Sequence, residues 1–174
     1  MLAIKELTLN DLVRLQKIAR QTFQETFTAS NSEENMKTYL HEGFSTEKLT
    51  AELNDNNASF YFVTLDQEII GYLKLNFGYA QTEFRDLKAL EIERIYVLDE
   101  FQGKRVGQLL FAKALEVAKQ KNMDYIWLGV WEKNLKAINF YQKNGFIAFD
   151  THIFKLGDDE QIDIMMKLIL DKYE

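Results

Sequence analysis

Two carboxylates, a basic glycine-bearing turn and a tyrosine follow one another along the chain with types and spacing suited to moving a proton and holding a phosphate. Glu91 and Glu93 lie in Leu90-Glu-Ile-Glu-Arg-Ile-Tyr-Val97, a run rich in β-formers. A strand this apolar belongs in the middle of a sheet, where carboxylates are rare unless paired or functional. Period two sets both glutamates on one face, which suits a shared chemical task. Pairing of Glu91 or Glu93 with Arg94, or with a lysine on a neighbouring strand, is the alternative. The strand leads to Gln102-Gly-Lys-Arg-Val-Gly107 and straight into a helix whose Val106, Leu110, Ala114, Val117 and Ala118 form one stripe. Such a turn aims backbone N–H groups and the positive end of a helix at phosphate. A nucleotide-tailed cofactor needs that.

A second segment repeats the strand-to-helix plan. Asp124-Tyr-Ile-Trp-Leu-Gly-Val130 reads as a strand, and Asn134 is a natural cap for the helix after it. Asn144-Gly145 supplies that helix's stop. Leu135, Ile138 and Tyr141 fall at helical spacing, so core packing by itself accounts for Tyr141.

The remaining elements must position these two segments. Residues 2–7 read as a first strand. Asn10 can cap a helix from Asp11 to about Phe27, carrying Leu12, Leu15, Ala19 and Phe23 on one face. Asn31-Ser-Glu-Glu34 starts a helix that Gly43 ends, and Ser45 or Thr46 starts another to about Leu53. Phe23, Phe27, Tyr39 and Phe44 in this stretch are read as core. Ser59–Leu65 and Ile69–Phe77 flank a short polar turn and form a hairpin. A loop over 78–88 precedes the glutamate strand. Ile147–Leu156 and Gln161–Leu170 close the chain as an antiparallel pair around Gly157-Asp-Asp-Glu160. The order is β, helices, β, β, β, helix, β, helix, β, β.

Length and composition narrow the classes. The 174 residues suit one domain over 1–174 with a sizeable core. There is no cysteine, so there is no disulfide framework and no thiol nucleophile. His41 and His152 lack metal-ligand spacing, and no metal is expected. A net charge of −6 disfavours nucleic acid and is compatible with a cationic substrate. No apolar run approaches a membrane span, and the N-terminus lacks a signal-peptide pattern, so a cytoplasmic protein with no membrane partner is expected.

The two segments carry a resemblance. The first is similar to the acetyl-CoA motif of the GCN5-related N-acetyltransferase (GNAT) family, Gln/Arg-x-x-Gly-x-Gly/Ala at a helix start. Gln102 and Gly107 match its outer positions, and Arg105 replaces the usual central glycine. The second resembles the family's Asn-x-x-Ala-x-x-Phe-Tyr-x-x-x-Gly-Phe element through Asn134, Ala137, Phe140, Tyr141, Gly145 and Phe146. The resemblance implies the GNAT acyl-CoA N-acyltransferase fold, an α/β (α+β) architecture with a twisted mixed sheet and helices on both faces. It also implies that the glutamate strand and the Asp124 strand run parallel and splay, with pantetheine in the gap.

By the same resemblance the cosubstrate is acetyl-CoA, and a primary amine attacks its thioester directly. The amine must first lose a proton, its pKa being near that of lysine, about 10.4. Glu93 is the first choice as a water-linked base, matching a similar segment in vertebrate spermidine/spermine acetyltransferases, and Glu91 is the second. Backbone N–H groups near Ile95, Tyr96 and Val97 would hold the oxyanion and the pantetheine amides. Pyrophosphate would sit beside Gln102 on the N–H groups of Gly103, Lys104, Arg105, Val106, Gly107 and Gln108. Asn134, Lys136 and Ala137 would approach the rest of the cofactor, and Tyr141 would protonate the leaving thiolate.

Phe23-x-x-Thr26-Phe27, Asn31-Ser32-x-Glu34-Asn35-Met36-Lys37, Leu90–Tyr96 and Ile126–Asn134 further resemble the PaiA-type bacterial spermidine/spermine acetyltransferases. That implies a polyamine substrate, met by carboxylates among Glu33, Glu34, Glu83, Asp86, Glu91, Glu93 and Asp158 to Glu160. The alternatives are a protein or peptide N-acetyltransferase, or a non-catalytic sensor of acetyl-CoA or polyamine that the Arg105 replacement would suit. A homodimer is compatible with this reading.

Overall fold

The computed structural model describes residues 1–83 and 85–171. Alternating and apolar runs form β1 (Leu2–Glu6), β2 (Ala58–Leu65), β3 (Glu68–Asn76), β4 (Ala89–Val97), β5 (Tyr125–Trp131), β6 (Ile147–Leu156) and β7 (Asp159–Ile169). The 3.6-residue patterns form α1 (Leu12–Phe27), α2 (Glu33–Gly43), α3 (Thr46–Asn54), α4 (Val106–Gln120) and α5 (Leu135–Lys143). The order matches that read from the sequence. One start differs. Thr8, rather than Asn10, caps the first helical segment, accepting from the Asn10 N–H while Asp11 accepts from the Thr8 N–H. Ser32, Ser45 and Asn134 cap α2, α3 and α5 through their side chains. The closing turn is shorter than expected, since β7 already begins at Asp159.

The strands form one mixed sheet in the order β1-β2-β3-β4-β5-β7-β6. Among the described residues only β4 and β5 are parallel neighbours. Their pairing covers Ala89–Tyr125, Leu90–Ile126 and Glu91–Trp127. Beyond it the strands part, as the family resemblance implied. A β-bulge lies just past the last pair: Arg94 faces Lys74 and Ile92 faces Leu75, which leaves Glu93 as the extra residue. A bulge bends its strand and raises its twist, and here it turns β4 away from β5.

Each face of the sheet carries its own core. On one, Leu15, Ile18, Ala19, Phe23 and Phe27 of α1 pack with Met36 of α2, Leu49 of α3, and Phe60, Phe62 and Tyr72 of the sheet. On the other, Val106, Leu110, Ala114 and Val117 of α4 and Tyr141 of α5 pack on Leu73, Leu75, Ile92, Ile126 and Leu128. The gap between β4 and β5 therefore joins two separately walled faces.

Gly71 of β3 is opposite Val97 on the diverging strand. A Cβ there would lie 2.5 Å from the Tyr96 carbonyl oxygen and 3.2 Å from the Val97 Cα. Gly71→Ala must push β4 outward, and overpacking of this kind costs roughly 1–3 kcal/mol. Urea unfolding should show that loss as a lower midpoint at unchanged slope.

Candidate active site

A cavity of about 860 Å³ runs through the gap and opens toward both faces of the sheet. On the α4/α5 side it is lined by Gln102, Gly103, Arg105, Gly107, Gln108, Asn134, Lys136, Ala137, Phe140 and Tyr141. On the α1/α2 side the walls are Phe23, Thr26, Phe27, Tyr39 and Phe44, together with Trp131, His152, Phe154 and Asp163. Glu91, Glu93, Ile95, Tyr96 and Val97 of β4 form the rim between them.

The α4/α5 side presents backbone N–H groups at the start of α4 and along β4. The first amide bonded back within α4 is that of Leu109, to the Arg105 carbonyl at 3.2 Å. The N–H groups of Val106, Gly107 and Gln108 thus have no intrahelical acceptor, and the helix's positive end adds to them. Leu98 N–H donates to the Ile70 carbonyl on β3. Alternation along the strand then turns the Ile95 and Val97 amides toward the gap. Gln102 ties the turn together: its Nε2 donates to the Val97 carbonyl (3.1 Å) and its Oε1 accepts from Lys136 Nζ (2.7 Å).

Arg105 has φ 67° and ψ 13°, the left-handed conformation in which glycine is at ease. The side chain is held there at a cost of roughly 1–2 kcal/mol, and it lines the cavity. The side chains of two residues expected to offer backbone N–H to the phosphates turn elsewhere. The Lys104 ammonium lies over the Phe101 ring at 5.6 Å, and Val106 is buried under α4. Neither side chain lines the cavity, and what they can offer is backbone N–H.

Tyr141 is 7% exposed, its ring 5.6 Å from Phe140 and 5.7 Å from Phe146. It is both a core residue and a cavity residue. Burial, with the neighbouring Tyr96, pushes its hydroxyl well above the usual phenol range, so it keeps its proton.

The two glutamates are placed together but differ in state. Asn76 Nδ2 donates to Glu91 (2.9 Å) and to Glu93 (2.8 Å), so both face the α1 side. The bulge breaks strict alternation, and Arg94 joins them on that side. Glu93 meets Lys74 Nζ at 2.5 Å and the Arg94 guanidinium at 3.3 Å, which is the ion-pair alternative for this residue. Burial alone would raise its carboxyl, but Arg94 and Lys74 outweigh that and hold it down at about 2. Glu52 of α3 completes the network, 3.1 Å from Arg94 and 3.5 Å from Lys74. Glu91 is 3% exposed, and its oxygens accept from Thr82 N–H (2.8 Å), Thr82 Oγ1 (2.6 Å) and Asn76. Burial outweighs those bonds and raises its carboxyl.

Of the carboxylates considered for a polycation, Glu83, Glu91 and Glu93 line the cavity, whereas Glu33, Glu34, Asp86 and Asp158 to Glu160 do not. Asp86 accepts instead from Tyr125 Oη (3.0 Å) and Asp158 from Asn35 (2.9 Å). The sequence reading missed Asp163, His152, Trp131 and Phe154. The signal was available in part, since β7's Gln161 and Asp163 alternate with Ile162 and Ile164. Alternation alone does not tell a cavity from solvent. Phe23, Phe27, Tyr39 and Phe44 are packed core, as expected, and at the same time form the cavity wall.

The family model described as Acetyltransferase (GNAT) family matches residues 14–146. An uncharacterized N-acetyltransferase in the pepI 3′ region of Lactobacillus delbrueckii subsp. lactis is 41% identical over 167 residues, covering 96% of each chain. The spermidine N(1)-acetyltransferase of Thermoplasma acidophilum is 29% identical over 152 residues, 85% of this chain and 89% of that one. The crystal structure of the PaiA N-acetyltransferase from Thermoplasma acidophilum, in complex with coenzyme A, superposes with a TM-score of 0.81 at 26% identity over 98% of this chain and 99% of that chain. With the splayed parallel strands and the phosphate-ready helix start, these matches establish that the chain belongs to the GNAT family and is an acetyl-CoA-dependent N-acetyltransferase.

Proposed function

We propose that the acceptor is a small cationic amine of the polyamine class, acetylated on a primary nitrogen by direct attack on the thioester. The observation that carries this reading is the opposite character of the two ends of the cavity. Arg105 and the free amides of α4 line the end suited to the cofactor's phosphates. Glu83, Glu91 and Asp163, set among Phe27, Tyr39, Trp131 and Phe154, line the other. Carboxylates and aromatic faces together attract an alkylammonium. The similarity to a spermidine acetyltransferase along most of the chain supports the same class.

The chain's own groups divide the work. The Ile95 and Val97 amides bind the pantetheine arm as an added strand would and are positioned to stabilise the charge that develops on the thioester oxygen. Glu91 and Glu93 line the floor of the acceptor side, where Asn76, Thr82, Lys74 and Arg94 fix their carboxylates and so the shape of the space the amine enters. Tyr141 holds a proton on the cofactor side and delivers it to the departing sulfur.

Release of CoA thiol from acetyl-CoA should be measured with spermidine, spermine and a lysine peptide. Turnover on the polyamines is expected, and Tyr141→Phe should lower kcat about 100-fold or more with little change in KM. Turnover on the peptide alone would replace the polyamine by a polypeptide acceptor. Acetyl-CoA binding without turnover on any amine would make the protein a sensor.

Arg105→Gly separates fold from function. Relief of the left-handed arginine should raise stability by about 1 kcal/mol. Loss of a charge-assisted contact to phosphate should weaken acetyl-CoA binding by about tenfold or more. Thermal unfolding and calorimetric titration read the two effects separately.

A further inference from the structure

We infer that Asp163 is the group that receives the substrate ammonium and takes its proton. This rests on the amine-acetylation reading above. Asp163 is on β7, in register with Trp131 of β5 on one side and His152 of β6 on the other. Its carboxylate reaches across β5. A Cβ built on Gly129 would lie 3.5 Å from Asp163 Oδ2, and Gly129 itself opens onto the cavity. Gly129 is just past the last β4–β5 pair, where the gap begins. The carboxylate thus stands at the mouth of the gap on the α1 side, while Tyr141 approaches from the α5 side. A base and an acid on opposite faces of the sheet fit an amine arriving from one side and a thiol leaving on the other.

The other carboxylates of the cavity are already engaged. Glu93 is neutralised by Lys74 and Arg94, Glu91 is saturated by Thr82 and Asn76, and Glu83 meets His152 Nδ1 at 2.7 Å. Among the described residues the Asp163 carboxylate has no ion-pair or hydrogen-bond partner. Phe27, Tyr39, Trp131 and Phe154 line the same cavity and pack on one another, with ring centroids 5.4 Å apart for Phe27 and Trp131, 6.4 Å for Phe27 and Phe154, and 6.0 Å for Tyr39 and Phe154. An ammonium held in that cavity by Asp163 would also meet their π faces.

The charged and titratable groups facing Asp163 are His152 from β6, Tyr39 from α2 and Tyr96 from β4. Burial raises the Asp163 carboxyl to about 6, with His152 opposing the rise. Glu93 is held down by Arg94 and Lys74, so Asp163 binds a proton more readily than Glu93 does, yet at about 6 it is still mainly ionised at neutral pH. A base used near neutrality needs that balance.

The steps balance. One proton passes from R–NH3⁺ to Asp163 Oδ. The freed lone pair forms the C–N bond as the carbonyl π pair moves onto oxygen. When C=O re-forms, the C–S bond breaks and sulfur takes the Tyr141 proton. The nitrogen's surplus proton restores Tyr141, and Asp163 releases its own to water. The products are the amide, CoA thiol and H⁺.

The test is Asp163→Asn in the full chain, with spermidine and acetyl-CoA over pH 5–9. For the wild type, kcat/KM should rise through an acidic limb near pH 6. In the variant that limb should vanish and kcat/KM fall about 100-fold or more, with acetyl-CoA affinity unchanged. The folded carboxyl is raised above its unfolded value, so its charge destabilises the fold at pH 7.5 and that cost fades as pH falls through about 6. Asp163→Asn should therefore show an equal or higher Tm at pH 7.5. A variant that keeps the wild-type rate and limb overturns the assignment of Asp163 alone. So does a rate loss accompanied by a lower Tm or weaker acetyl-CoA binding, which would mark a structural role. A wild type that acetylates no amine overturns the assignment together with the reading it rests on.

Discussion

The site depends on one failure of pairing. β4 and β5 hold each other for three residues, and the bulge at Glu93 then turns β4 aside. An unbroken parallel pair would satisfy its own backbone groups and close the sheet. Once the strands diverge, the Ile95 and Val97 amides need another partner, because backbone groups left unpaired away from water are costly. A ligand that supplies carbonyls in strand-like array is the natural complement. The same divergence connects two faces that α1–α3 and α4–α5 otherwise seal from each other. Phosphate chemistry and amine chemistry can then be kept on opposite sides and meet only at the gap.

The bulge needs its own support, and the ion network around Glu93 provides it. Lys74 of β3 and Arg94 of β4 both reach Glu93 and Glu52, and Arg94 also lies over the Phe44 ring at 5.4 Å. α3, the sheet and the segment after α2 are thus locked at the residue that bends β4. Removing one member of a buried ion group typically costs about 3–5 kcal/mol, because the remaining charges lose their compensation. Glu93 is therefore tied to the geometry of the gap before it takes part in any chemistry. Loss of activity on its substitution would not by itself identify a base.

Much of this was legible in the sequence. The stripes of α1 and α4, the Asn134 cap, the helix starts near Ser32 and Ser45 and the order of elements along the chain all follow from local periodicity and turn chemistry. So does the phosphate-ready start of α4. What escaped is set by register between distant strands. The sequence leaves open that Glu91 or Glu93 pairs with Arg94 or a neighbouring strand's lysine, but that the lysine is Lys74 and the glutamate Glu93 is decided by the β3–β4 register. The polar face of β7 reads as an ordinary solvated edge, because nothing local tells that Asp163 crosses Gly129 toward a cavity. Arg105 is an intermediate case. The sequence shows a side chain where the family has glycine, and the backbone shows that it does adopt the left-handed conformation glycine would tolerate.

The rings that wall the acceptor side also constrain how the site can change. Phe23, Phe27 and Phe44 are all at most 7% exposed and belong to the core beneath α1. Truncating such a ring in a core typically costs about 3–5 kcal/mol, so the pocket's shape is fixed by the requirements of folding. Thr26, Glu83, His152 and Asp163 reach the same space and contribute little to the core. Asp163 works against stability at neutral pH, because the desolvation of its charge outweighs what His152 returns. Groups that work against stability are a common feature of functional sites. Here the residues that give the cavity its shape belong to the aromatic core, and most of the polar residues that line it lie outside that core.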